Sequence, residues 1–162
     1  MLVSAVVAGV LLGLAGGGRL ARLASLEVRW PWLLALAIAA RLVAPLSPLA
    51  PLPLYLASFA GILAVVAANR SVSGLGLVGV GAASNLAVVA LNGGMPVDLA
   101  AVAAAGASGP HDPLHIVLDA TTRLPFLADV IALPPVRNVY SAGDVAIAAG
   151  GFWLPFARLR RS

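Results

Sequence analysis

Asp129 and Asp144 are the residues whose setting most suggests chemistry. Asp129 lies in Phe126-Leu-Ala-Asp-Val-Ile-Ala-Leu-Pro134, an apolar setting for a carboxylate. Asp144 lies in Tyr140-Ser-Ala-Gly-Asp-Val-Ala-Ile147, where an apolar run begins. Two carboxylates brought close cannot both ionise, and a pair that shares a proton can activate water and protonate a leaving amine. Each acid also has a structural reading. Ser141-x-x-Asp144 is a capping-box pattern, and an acid in a first helical turn suits the helix dipole. Asp129 reads equally as a loop carboxylate paired with Arg123 or Arg137.

A second group is His111, Asp112, His115 and Asp119. Positions four apart share a helix face, which suggests metal ligands. Asp112-Pro113, however, reads as an N-cap followed by proline at the first helical position, starting a helix that ends before Pro125. Asp119 and Arg123 then form an ordinary ion pair four residues apart. The reading is no metal and no cofactor. The chain has no Cys, which excludes thiol nucleophiles and thiolate metal sites.

The elements that position these residues follow from composition. Only 10% of the 162 residues are charged, against about 25% in soluble domains, and 61% are hydrophobic. That excludes a soluble enzyme, a DNA-binding domain and a disordered chain. Five apolar stretches run Leu2–Gly18, Trp30–Leu46, Leu52–Ala68, Leu75–Leu91 and Ala142–Ala157. They predict an all-α, polytopic membrane helix bundle of about five transmembrane helices, in one domain covering 1–162. The segment 92–141 forms an extracytoplasmic helical insertion before the last span. Within it Val97–Ala107 is apolar but too short to span, and reads as an interfacial or re-entrant helix. The link carrying Pro45, Pro48, Pro51 and Pro53 is a stiff turn.

Orientation comes from arginine, the sole basic residue type other than histidine. No basic residue precedes Arg19, so the first stretch reads as a retained helix with its N-terminus outside. Arg19, Arg22, Arg29, Arg70, Arg158, Arg160 and Arg161 then all face the cytoplasm, as does the C-terminus. Five of the six acids lie between Asn92 and Asp144, on the opposite side. The net charge of +4 is therefore topological, and nucleic acid is not expected as a partner. The expected location is a bacterial cytoplasmic membrane; ten Arg and no Lys fit a GC-rich bacterial genome. Trp30 and Trp32 read as interfacial anchors, with Tyr55 in the same role, and Arg41 as a side chain that snorkels to the nearer interface.

Gly74-x-Gly76-x-x-Gly79 matches a dinucleotide-binding pattern, but it lies inside an apolar run, where small residues let helices approach closely. Asn85 and Asn92, seven apart, share a face and either bond between helices or line a polar cavity. Asn92-Gly93-Gly94-Met95-Pro96 reads as a helix C-cap and turn, whose glycines also leave backbone open to a substrate.

The stretches NGGMPV (Asn92–Val97), FLADVIALP (Phe126–Pro134) and YSAGDVAIAAG (Tyr140–Gly150) resemble a family of small bacterial membrane proteins of unknown function. The C-terminal part is also similar to signal peptidase II, the lipoprotein signal peptidase. Asp129-Val130-Ile131 and Asp144-Val145-Ala146-Ile147 fall on that family's two aspartate motifs. The resemblance implies that Asp129 and Asp144 are catalytic, that Asn92 and Gly93 contact substrate, and that Arg123 stands for the family's substrate-side arginine. It departs in having Ser141 before the second acid, no Gly-Asn before Asp119, and five spans in place of four. The expectation is an intramembrane aspartyl hydrolase acting on a membrane-anchored peptide or lipid substrate. The alternative is a non-enzymatic membrane scaffold or assembly partner. A transporter would need polar groups at the bilayer midplane, where only Asn85 and Arg41 qualify.

Overall fold

The computed structural model describes residues 1–109 and 112–160. The chain is mostly helical, with α1 (Leu2–Ala15), α2 (Leu20–Ala24), α3 (Pro31–Val43), α4 (Pro51–Ala68), α5 (Leu75–Asn92), α6 (Leu99–Ala105) and α7 (Ala142–Arg160). Proline opens α3 and α4 at the position where a missing N–H is harmless. Gly93, at φ 74°, closes α5 in the left-handed conformation that glycine reaches without strain.

The expected apolar stretches all become helices, but they do not all have spanning length. α4 and α5 are long and apolar enough to cross a membrane; α1 and the segment Pro31–Leu46 are apolar but shorter. α7 has the length and carries Asp144 in its first turn and Arg158 and Arg160 in its last.

Small residues set the packing. Gly9 lies against Phe152 and Pro155, and Gly13 against Leu159 and Phe156, so α1 and α7 run in the same direction. Gly81 meets Gly143 and Ile147, while Gly74 meets Gly150 and Leu154, so α5 runs antiparallel to α7. The Gly74-x-Gly76-x-x-Gly79 segment thus serves helix contact, with Gly79 against Val66 of α4. Gly61 of α4 meets Ala37 of α3. The helices form a row, α1–α7–α5–α4–α3, whose two end members α1 and α3 are not packed on each other.

The segment after α5 is not the helical insertion expected from sequence. Beyond α6 it is built from short strands and turns: β1 (Met95–Val97), β2 (His115–Val117), β3 (Ile131–Leu133) and β4 (Asn138–Tyr140). β1 pairs in parallel with β2, and β3 antiparallel with β4. The helix expected from Asp112-Pro113 to Pro125 is absent. Asp112 does cap, but its Oδ1 accepts from the Leu114 amide at 2.8 Å within a turn that leads into β2. An aspartate before proline satisfies an amide two residues on in either structure. Pairing with β1 decides between them.

Candidate active site

β1 is the element from which the site is built. On one edge it holds β2, with Met95 opposite His115; on the other, Val97 bridges Asp129. Pro96 has no N–H to give, and its carbonyl accepts from the Asp129 amide at 2.8 Å. The Asp129 carbonyl in turn accepts from the Asp98 amide at 3.0 Å. Paired residues of adjacent strands face the same way. Met95, Val97, His115 and Asp129 accordingly all line one cavity.

That cavity, of about 1020 Å3, lies at the end of the row where α1, α4 and α7 begin and α3 ends. Arg41 and Leu42 of α3, Tyr55 and Phe59 of α4, Asn85 of α5, and Asp144 of α7 complete its wall. Leu2 and Val3 face Ile38 and Leu42 across the unpacked gap between α1 and α3.

Asp144 is held by the box the sequence announced. Its amide donates to Ser141 Oγ at 3.0 Å, and the Ser141 amide donates to Asp144 Oδ2 at 3.2 Å. Asn85 extends the box into α5: its Nδ2 donates to Asp144 Oδ1 at 2.9 Å, while its Oδ1 accepts from Ser141 Oγ at 3.0 Å. Ser141 is fully buried and Asn85 nearly so. Of the two readings of Asn85, interhelical bonding and cavity lining, both hold. Ser141→Ala removes the cap and leaves buried Asn85 short of a donor, so it should lower stability by about 1–2 kcal/mol. Thermal unfolding of the purified protein in detergent measures this.

Asp129 has a different environment. It is only 7% exposed, and its Oδ1 is buried with no hydrogen-bond partner among the described residues. Burial pushes its carboxyl up to about 7; the nearby Asp144 charge adds to this and Arg41 opposes it. Asp129 is not paired with Arg123 or Arg137. Arg137 Nε donates instead to the Gly106 carbonyl at 2.9 Å. The facing group is His115, whose Nε2 is 4.0 Å from Asp129 Oδ2. Among the described residues no hydrogen bond joins Asp129 directly to Asp144, although both face the same cavity.

Arg41 does not extend to an interface. Its guanidinium carbon sits 4.5 Å from the ring centres of both Tyr55 and Phe59, inside the cavity wall. Tyr55 is correspondingly buried and is no interfacial anchor, whereas Trp32 is well exposed. Both departures have one cause. The guanidinium is attracted to the faces of two aromatic rings, and α3 and α4 pack so that these rings lie beside it.

Asn92, Gly93 and Arg123 lie off the cavity wall. Asn92 clasps the Arg123 backbone, donating to its carbonyl at 2.9 Å and accepting from its amide at 2.8 Å. Asp119 does not pair with Arg123; it accepts from the Thr121 amide at 2.8 Å and the Thr121 hydroxyl at 2.7 Å. An acid followed by threonines satisfies itself locally, and no helix is present to carry the four-residue spacing. His111 lies outside the described residues. Among those residues there is no group of three or more metal-ligating side chains. Sequence reasoning missed Arg41 as a wall residue and His115 as the neighbour of Asp129. Phe59 within helical reach of Tyr55 was the available signal for the first.

Residues 25–156 match the model of a family of unknown function, DUF5317. The chain belongs to that family. The match to DUF5317 takes in α3 to the body of α7, and with it Arg41, Asn85, His115, Asp129 and Asp144; α1, with its contribution to the cavity, and α2 precede it. No curated protein and no solved structure matches the chain.

Proposed function

We propose that this DUF5317 protein is an integral membrane protein whose Asp129 and Asp144 hydrolyse a membrane-anchored peptide or lipid substrate at the outer face of a bacterial cytoplasmic membrane. The observation that carries the reading is a single cavity walled by two acids of unlike environment. Asp129 is buried with its carboxyl pushed up to about 7, and Asp144 is fixed by Asn85 and Ser141. Pairs of carboxyls driven apart in this way take up acid and base roles. Asp144 removes a proton from a water lying between the two acids, that water attacks the substrate carbonyl, and Asp129 delivers its proton to the leaving group. Arg41, on the cavity wall, takes the substrate-orienting role that the sequence suggested for Arg123.

Membrane residence is supported by the outer surface. Leu11 is 61% exposed, Trp32 66%, Leu36 60% and Val80 62%, an apolar exterior beyond what a soluble monomer presents. Five crossings would put the two termini on opposite sides of the membrane, and the proposed orientation has the N-terminus outside and the C-terminus in the cytoplasm. The arginines then gather at the cytoplasmic end, where Arg22 Nη1 donates to the Leu159 carbonyl at 2.9 Å and Arg158 Nε to the Arg22 carbonyl at 3.1 Å. The positive-inside rule favours that orientation. The gap between α1 and α3 offers a substrate with an apolar anchor a lateral way into the cavity.

The test is cleavage of a synthetic diacylated lipopeptide by the purified protein in lipid vesicles, beside Asp129→Asn and Asp144→Asn. The reading expects cleavage by the unaltered protein and a loss of at least about 10²-fold in each variant. A second reading, a non-enzymatic scaffold or assembly partner, is favoured by the full engagement of Asp144 in its cap. Cleavage unaffected by either substitution removes the two aspartates from the chemistry, and no cleavage by the unaltered protein favours the scaffold.

A further inference from the structure

Asp129 is a buried acid, and an acid that turns over must exchange its proton with water. Its Oδ1 is enclosed and its backbone is fixed to β1, so exchange runs through what faces Oδ2. That is His115 Nε2, at 4.0 Å. The other ring nitrogen is already engaged: His115 Nδ1 lies 2.8 and 2.9 Å from the two carboxylate oxygens of Asp112. Burial tends to raise the Asp112 carboxyl, but donation from His115 and from the Leu114 amide outweighs it and holds that carboxyl below the usual range. Asp112 is therefore the acceptor for Nδ1, which leaves Nε2 as the ring nitrogen near Asp129. Exposure follows the same order. The side chains of Asp112, His115 and Asp129 are 36%, 30% and 10% exposed, from the solvent side to the interior.

We propose that His115, oriented by Asp112, is a positioning residue that relays protons between Asp129 and water. The O–H bond at Asp129 Oδ2 breaks as an N–H bond forms at His115 Nε2, leaving a carboxylate and an imidazolium whose charge Asp112 balances. The imidazolium then gives up its Nε2 proton to water in the cavity, which restores the neutral ring with Nδ1–H still on Asp112. A closure of about 1 Å brings Nε2 into hydrogen-bond range. The remaining titratable groups on the wall are Arg41, Tyr55, Asp144, Arg137 and Tyr140, with the Met1 amine 3.4 Å from the Tyr140 hydroxyl. Among the described residues none of these is within hydrogen-bond or ion-pair distance of His115, so its two partners are the ends of the relay.

The catalytic use of the relay rests on the hydrolytic reading, but the proton exchange does not. The experiment is a pH jump across neutrality on the full chain in vesicles, following the Asp129 carboxyl band by time-resolved infrared spectroscopy. His115→Phe and His115→Gln are run beside it, with and without added imidazole. Gln keeps a donor for Asp112 but cannot carry a proton. The relay expects both variants to relax about 10²-fold more slowly than the unaltered protein, with imidazole restoring the rate and the equilibrium band still present. Relaxation of the Gln variant at the unaltered rate, or no response to imidazole, overturns it. Lipopeptide cleavage separates the two proposals. Slow relaxation in the variants without cleavage by the unaltered protein removes the hydrolase and keeps the relay. Cleavage that His115→Gln leaves untouched, with relaxation at the unaltered rate, does the reverse.

Discussion

Asp129→Asn should stabilise the protein above neutral pH while abolishing the proposed hydrolysis. The folded carboxyl keeps its proton up to about 7, whereas an exposed one loses it near 3.8. Between those values the folded state holds a proton that the unfolded chain has released, so stability falls as pH rises. Above 7 the penalty is complete, about 4 kcal/mol for a displacement of that size, and below 3.8 it vanishes. Asparagine has no proton to lose and carries none of this slope. Unfolding of the two proteins in detergent at pH 8 and pH 5 should therefore show a gap that closes on acidification. A gap of the same size at both values would mean that Asp129 is an ordinary packed residue. Stability gained where activity is lost is the expected signature of a group kept for function.

The second large effect lies at the contact between α5 and α7. A Cβ placed on Gly143 meets the Asn85 side-chain oxygen and the Gly81 carbonyl. Backbone cannot yield as a flexible side-chain tip does, so Gly143→Val must separate the helices and pull Asn85 from Asp144. The expected loss is about 3 kcal/mol or more, near the upper end of overpacking effects. Gly76, in the same helix α5, has open space where its Cβ would be. Gly76→Ala should be neutral or stabilising by about 0.5 kcal/mol. Comparing folded yield and melting temperature of the two variants checks both. Similar losses at Gly76 in α5 and Gly143 in α7 would show that glycine is needed for backbone freedom in both helices, and not for close approach.

The helices were legible because an apolar run of helical length needs no partner to declare itself. The stretches starting at Leu2, Trp30, Leu52, Leu75 and Ala142 each became a helix, with ends displaced by a few residues. The capping box at Ser141 and Asp144 was legible for a similar reason, since both members sit within one turn. The segment between Asn92 and Ser141 was not. Its strands are three residues each, too short for alternation to register, and β1 contains a proline. They exist because β1 lies between β2 and Asp129, a relation across many residues of chain. Asp112-Pro113 carries the same local chemistry at a turn as at a helix start.

The two acids could be singled out in the sequence; the groups that surround them in the fold could not. Asp129 stood out because a carboxylate in an apolar stretch is costly wherever it ends up. Arg41 and His115 could not be tied to it, because α3 and β2 reach the cavity only through packing. Asn92 and Arg123 looked like substrate contacts, yet the folded chain uses them to hold α5 to the loop. Short motifs resembling another family carry residue types across, but the third dimension assigns the partners.

The most direct test of the central claim needs no substrate. Infrared titration of the purified protein, beside Asp129→Asn, reports whether a buried carboxyl keeps its proton at neutral pH. A protonated-carboxyl band that disappears with a midpoint near 7, and is missing from Asp129→Asn, is the predicted result. A midpoint near 4 would place Asp129 among ordinary solvated carboxylates and contradict the acid role given to it.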